Sequence, residues 1–499
     1  MKSITIYLIT FLLAIIFSGC ENYLSEEPTL ETTIQTAEQL DALINNVSLF
    51  CFDGGGSIGS HNPTAVYSTD DTEIPMDVYE AYPTMDRIDN LFYYTFKTTE
   101  ISNLSADAFY SGAYEQILQA NTVLRYVDEV SGDAALKEEL KANAHFIRAY
   151  CYWVLANYYC LPYEKNGEND DELGMTLKTT TDYDEPLARS TLKETYDFIL
   201  SDINEALKTT QDDVDPAKPW RVSKKAVEAF LSRYYLFLGD YDEALVHTNN
   251  ALASTQAQLV DFHSLVEGMK DVYGNPSDTL TYCELNDWGR NDFLYWKEFY
   301  MPRFTRNVYQ WYMPSENLRS LYNQSNDLRY KWLFIPHGGR RFGVIDPPMF
   351  RYTFFWDGRE IPTGPTVAEM LLNKAEILAR QGDVLGAMTA VNALREKRMD
   401  DSAPLSASGQ DEAITKVLEE RRRELPFAMR WYDIRRFSIN DYAEDDVEIS
   451  RSFFKVNEID VDKTTIEVYT LPVGSRRYAV PLNTVEVAAS NGIIKQNTY

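Results

Sequence analysis

The chain has 499 residues, and its 47 Lys and Arg face 76 Asp and Glu, for a formal charge of -29. Such a field repels phosphate backbones and anionic lipid surfaces, which argues against nucleic acid as a partner. The length suffices for one large domain or two smaller ones with a sizeable core.

In chain order, the first element is MKSITIYLITFLLAIIFSGC, with one positive charge at Lys2, an apolar run from Ile4 to Phe17, and Ser18-Gly19 before Cys20. The run is shorter than the roughly 20 residues a bilayer requires and Thr10 interrupts it, so residues 1–19 read as a signal peptide. The ending resembles a bacterial lipobox, with Phe17 where Leu is usual. Cleavage there leaves Cys20 as a lipid acceptor, and at about 0.8 kcal/mol per buried CH₂ several acyl chains anchor a soluble domain.

Amphipathic spacing predicts roughly nine helices, near 36–49, 105–130, 134–159, 190–208, 222–238, 241–254, 365–381, 384–398 and 410–425. In the third, Leu136, Leu140, Ala144, Ile147, Cys151, Val154 and Tyr158 recur at three- and four-residue intervals. It also places Cys151 and Cys160 about 13.5 Å apart along the axis, beyond the reach of a disulfide. Ser190 or Thr191 caps the fourth, with Glu194 in its first turn. LFLGDYDEALVHTNNAL from Leu236 and LARQGDVLGAMTAVNAL from Leu378 each carry Gly-Asp with Ala five residues after the Gly. This is the pattern of a tetratricopeptide-type helical hairpin, in which small residues let two helices approach at a tight turn. The copy with Tyr241 matches well, and the copy with Val384 in its place is looser.

Between these repeats, 259–362 is rich in aromatics, Gly and Pro and loses helical periodicity; 51–85 and the tail 438–499 read as loop-rich in the same way. IEVYTLPV in the tail is expected to be a minor strand. The domain organisation expected is a signal peptide over 1–19, an N-terminal helical region over 20–258, and a C-terminal region over 259–499. The last holds the aromatic-rich segment 259–362 and helices within 365–437.

Few residues suggest catalysis. The run Glu419, Glu420, Arg421, Arg422, Arg423 and Glu424 reads as exposed pairs along a helix, each supplying roughly 0.2–0.5 kcal/mol. Arg430, Trp431, Asp433, Arg435 and Arg436 are expected to stitch that helix to a neighbour. His61, His145, His247, His263 and His337 lack metal-ligand spacing, so no metal or other cofactor is expected. CFDGGGSIGSHN lacks the Gly-Lys-Ser/Thr ending of a phosphate loop, GENDDELG lacks EF-hand spacing, and no GxSxG elbow occurs. Aromatics give the better lead, because sugars stack their C–H faces on rings while their hydroxyls need polar partners. Trp288, Arg290, Asn291, Asp292, Tyr295, Trp296, Trp311 and Tyr312 supply that mixture in one irregular segment, and Tyr79 and Tyr82 join them as ligand-binding candidates. Two or three of these ten are expected to touch ligand, the rest to pack the irregular segment.

Together these pieces resemble the SusD-like (SusD/RagB) outer-membrane lipoproteins, over nearly the whole chain and in the family order. They are Cys20, Leu24 and Pro28; YEQILQANTVL from Tyr114; ANAHFIRAYCYWVLANYYCLPY, where Ala144, Phe146, Arg148, Ala149, Tyr150 and Pro162 match and Asn143 and His145 do not; AEMLLNKAEILARQGD; VLEERRRELPFAMRWYDIRRF; and YAVPLNTVEVAASNGIIKQNTY. Phe427-Ala428-Met429 stands where the family commonly has Glu-Gly-His, so a differently shaped loop is expected there. The resemblance implies a mainly α fold, with about four tetratricopeptide-like helix pairs carrying a loop-rich ligand-binding region. It also implies a nutrient-binding protein without catalytic residues, lipid-anchored at Cys20 in the outer membrane and facing the exterior. Its partner would be a SusC-like TonB-dependent barrel, which it covers as a hinged lid. A glycan is the expected cargo; a peptide cargo, a surface glycosidase and a protein-only tetratricopeptide scaffold are the alternatives.

Overall fold

The computed structural model describes residues 34–56, 62–83, 87–266, 269–270, 284–285, 292–306, 312–336, 346–354, 360–401 and 403–499. Its scaffold is helical. The principal helices are α1 (Ala37–Ile44), α2 (Ala108–Tyr126), α3 (Ala134–Tyr159), α4 (Leu192–Ala206), α5 (Lys224–Phe237), α6 (Tyr241–Leu252), α7 (Val367–Arg380), α8 (Val384–Arg395), α9 (Gln410–Glu424) and α10 (Ala428–Phe437). Successive helices pack as pairs: α2 on α3, α3 on α4, α5 on α6, and α7 on both α8 and α9. The α6–α7 contact joins the two hairpins that are distant in sequence.

The Gly-Asp repeats have one physical explanation. Gly239 and Gly382 adopt the left-handed conformation, with φ of 71° and 84°, which glycine takes without a Cβ penalty. Asp240 N–H then donates back to Tyr235 O, and Asp383 N–H to Leu378 O, at 2.9 and 2.8 Å. The same aspartates cap the following helices through Glu243 N–H and Gly386 N–H. Five residues after each Gly, Ala244 and Ala387 are fully buried where the helices meet.

The centre of the molecule is α3, buried on every face from Phe146 to Tyr159. Its C-terminus is also where the chain's last residues dock. Asn497 Nδ2 donates to the carbonyls of Tyr159 and Val480, and Tyr499 Oη donates to that of Ala479. Cys151 and Cys160 are buried free thiols, as is Cys51. Thr191 forms the capping box of α4 with Glu194.

Three expectations need correction. The helix near 36–49 is two, Ala37–Ile44 and Val47–Phe50, because Asn45 and Asn46 end one and start the next; short polar side chains compete with the helical backbone at such points. Residues 51–85 are not simply loop: Pro63–Tyr67 and Met76–Ala81 are short helices, the first capped by Asn62 with Pro63 at its start. The tail holds a substantial hairpin, β1 (Ile449–Val456) paired antiparallel with β2 (Val461–Leu471). A register break between Phe454 and Lys455 spoils the period-two burial along β1, which conceals it in the sequence.

The charged run is corrected too. Glu420, Arg421 and Arg423 are buried rather than exposed, and their partners lie mostly on other elements. Glu420 accepts from Arg329, Arg395 and Arg423 at 2.6–2.9 Å. Arg421 pairs with Asp433, Arg422 with Asp71, and Glu424 with Arg398 and Arg329. Burial alone would raise the Glu420 carboxyl, but those three guanidiniums overcome it and hold it well below the carboxylate range. The stitching expected of α10 is realised: Arg430 grips Asp70 bidentately, Arg436 grips Glu376, and Arg435 donates to the carbonyls of Tyr478 and Cys160.

Candidate functional site

The segment 259–362 forms only short elements among its described residues: helices Phe262–Val266, Glu316–Ser320 and Leu328–Leu333, a 3₁₀ turn Asp292–Tyr295, and two-stranded pairs such as Phe304–Arg306 with Glu360–Pro362. Buried arginines hold it to the scaffold. Arg303 donates to Phe50 O and Gln116 Oε1, pairs with Asp53 at 3.3 Å, and lies 4.4 Å from the Tyr150 ring centroid. Arg398 spans Glu298 and Glu424 at 2.6 and 2.9 Å. The result is a rigid mount for a segment that lacks long helices.

The ten candidate residues separate by burial. Trp296 is 4% exposed, edge-on to Phe262 and Phe354. Tyr312 is fully buried and meets Phe427 at 5.3 Å. Tyr79 packs on Phe453 and Phe454, beneath Lys463. These three rings are core here, and as placed they offer no face to a ligand. Tyr82 and Tyr295 are the exposed ones, at 39% and 47%. Asp292 opens the 3₁₀ turn that carries Tyr295; Trp288, Arg290, Asn291 and Trp311 lie outside the described residues.

Tyr295 has neighbours that sequence reasoning missed. Its ring stands edge-to-face with the half-buried Trp220, at 6.3 Å and 76°. Trp220 Nε1 donates to Asn45 Oδ1 at 3.0 Å, and Asn45 Nδ2 donates to Asp41. Arg221 pairs with the same Asp41 at 2.9 Å. An exposed tyrosine, a tryptophan, an amide and an ion pair therefore share one surface, the mixture a saccharide requires. The signal was available: Trp220 sits in the loop DPAKPW, outside any apolar stripe. Tyr82 donates to Asp346 O at 3.2 Å, so its exposed ring is oriented by the irregular segment.

The Phe427 substitution does shape its loop. Phe427 takes φ of 63°, its N–H donates to Asp71 Oδ2 at 2.7 Å, and its ring lies between Tyr312 and Tyr352. Two of the four carboxylates of GENDDELG are engaged in structure: Glu172 chelates Arg476, and Asp170 accepts from Tyr163. His145, His247 and His263 each contact a carboxylate, Asp202, Glu228 and Asp261 respectively. Among the described residues no group of His, Cys, Asp and Glu has the arrangement of a metal site, and no helix is long and apolar enough to cross a membrane.

Comparison with known proteins gives a consistent pattern. A family model described as starch-binding and associating with the outer membrane matches residues 22–236, and the model of the SusD family matches 367–499. No curated protein matches the chain. Among solved structures, a SusD superfamily protein from Bacteroides thetaiotaomicron is 17% identical with a TM-score of 0.66, covering 93% of this chain and 100% of its own. A laminarin-binding SusD-like protein is 15% identical with a TM-score of 0.63, covering 93% and 99%. A SusD-like carbohydrate-binding protein from Bacteroides vulgatus is 15% identical with a TM-score of 0.59, covering 92% and 97%. At these identities the likeness establishes the fold.

Proposed function

The chain belongs to the SusD/RagB family of non-catalytic, surface nutrient-binding proteins that work with a SusC-like transporter, and from that premise we propose that its cargo is a glycan or oligosaccharide. The observation carrying this reading is the surface at Tyr295 and Trp220, with Asn45 beside it and the Arg221–Asp41 pair at its edge. Ring faces there stack on sugar C–H faces, and the amide and ion pair satisfy hydroxyls. The family description, starch-binding and associating with the outer membrane, and the laminarin bound by one fold relative support the same cargo class.

In this reading Trp288, Arg290, Asn291 and Trp311 remain ligand-binding candidates by residue type, and Tyr82 contributes a further exposed ring. Cys20 carries the lipid that holds the protein on the outer membrane, facing the exterior, where it lies over a TonB-dependent barrel and passes ligand to it. The regions 20–258 and 259–499 share this surface, the first supplying Trp220, Asn45 and the Arg221–Asp41 pair and the second Tyr295.

The test is affinity electrophoresis of the purified protein through gels containing laminarin, starch, xylan or pectin, run beside a Tyr295→Ala/Trp220→Ala variant. Retardation by one polysaccharide, lost in the variant, is expected. Retention of none, alongside tight binding of peptides, would transfer the surface to a peptide cargo. Cys20→Ala should release the protein from the membrane fraction with polysaccharide binding in solution unchanged.

A further inference from the structure

A second concave site lies on the helical scaffold, built from residues the reading above leaves unused. A cavity of about 510 Å³ opens between the loop after α3, the α5–α6 turn, and the chain leaving α10. A neighbouring cavity of about 220 Å³ shares Ile414 and Tyr442 with it, so the Tyr442 ring stands at the junction. The larger one falls within the roughly 300–1,000 Å³ of small-molecule sites.

Three tyrosines line the larger cavity. Tyr163 packs at a tilt against Tyr196, 4.6 Å between centroids, and donates to Asp170. Tyr241 and Tyr442 flank the Arg380 guanidinium, which lies 5.8 Å from each centroid. That guanidinium is held by Glu376 and Asp445, and Arg436 by Glu376 and Asp433, so neither is available to neutralise an anion. Several acceptors, by contrast, have no partner. Among the described residues the carboxylates of Glu164 and Asp441 in the larger cavity, and of Asp446 in the smaller, make no hydrogen bond or ion pair. Burial pushes the carboxyls of Glu164 and Asp446 above their ordinary values, and a donated hydroxyl would relieve that cost.

Ring faces, unused carboxylate acceptors and fully neutralised arginines exclude an anionic ligand and suit an uncharged polyol, since an ionised carboxylate can accept from several hydroxyls. We propose that the paired cavities meeting at Tyr442 form a second saccharide site, for a short neutral oligosaccharide, separate from the Tyr295–Trp220 surface. Such a site adds valency: a glycan held at one surface meets the other at raised effective concentration.

The experiment uses the soluble mature chain carrying Tyr82→Ala, Trp220→Ala and Tyr295→Ala, with laminaritetraose, maltotetraose, cellotetraose and xylotetraose as probes. Binding is read by saturation-transfer NMR and by soaking crystals at 10 mM probe, a concentration set by the roughly millimolar affinities of small sugars. Residual binding of at least one probe is expected in this background, weakened about tenfold by adding Tyr442→Ala and about threefold by adding Asp441→Asn. Asp441 lies on an exposed loop and makes no hydrogen bond among the described residues, so Asp441→Asn tests the site even if Tyr442→Ala fails to fold. Loss of all binding once those three rings are removed would overturn the proposal. So would residual binding that neither cavity substitution alters, or crystals in which the bound probe lies outside both cavities.

Discussion

Two stretches of the chain reverse what their residue types suggest, and they do so in opposite senses. From Glu419 to Phe437 the sequence is dense in charge, yet Glu420, Arg421, Arg423, Asp433, Arg435 and Arg436 are buried. From Asp292 to Tyr312 it is dense in rings suited to a ligand, yet Trp296 and Tyr312 are core while Tyr295 stands out in solvent. The difference lies in partners. Arginine enters the first interior because carboxylates from several elements meet it bidentately, with Arg436 on Glu376 and Arg421 on Asp433. Rings enter the second interior because short elements lack the aliphatic stripe of a long helix and must bury aromatics instead.

Four measurements would break or sharpen that contrast. The largest effect is expected from Glu420→Ala, which removes the buried carboxylate shared by Arg329, Arg395 and Arg423; urea unfolding should show a loss of about 3–5 kcal/mol. A loss below about 1 kcal/mol would mean that water reaches the network and that its burial matters little. Trp296→Ala should cost a comparable 3–5 kcal/mol by removing a packed ring, without abolishing ligand retention in the folded fraction. If stability were unchanged and retention vanished, Trp296 would belong to the site rather than the core.

Acid provides the third. Glu376 and Glu420 titrate far below their ordinary 4.5 in the folded chain. In each case burial opposes the shift and arginines overcome it, led by Arg436 for Glu376 and Arg329 for Glu420. Their stabilisation is complete above the ordinary carboxylate range. It falls as pH drops below that range, because the unfolded state takes up protons the folded state refuses. At pH 3.5 each should have lost about 1.4 kcal/mol, one pH unit's worth, so the melting temperature should fall steeply from pH 5 to pH 3. A flat profile would refute the network's charged state. The smallest effect on stability is expected for Tyr295→Ala, within about 0.5 kcal/mol of wild type by urea unfolding, with polysaccharide retention weakened. A large destabilisation there would make Tyr295 another packing ring.

The sequence by itself determined the helical pairs and their turns. Gly239-Asp240 and Gly382-Asp383 act within a few residues, through a left-handed glycine and a capping aspartate, and so do Thr191 and Glu194 at the start of α4. Local rules of that kind are legible in one dimension. The hairpin of β1 and β2 was legible only in part, since a register break hides its alternation. What tertiary structure alone decided was which side chains face water. Glu420 and Trp296 are buried by residues far away in the chain, and Trp220 meets Tyr295 across 75 positions of sequence. No periodicity encodes such meetings, because they depend on how the irregular segment is mounted on α3 and α9 by Arg303, Arg329 and Arg398. Binding surfaces assembled from loops are set by long-range packing, and so the candidate site is visible only once the chain has folded.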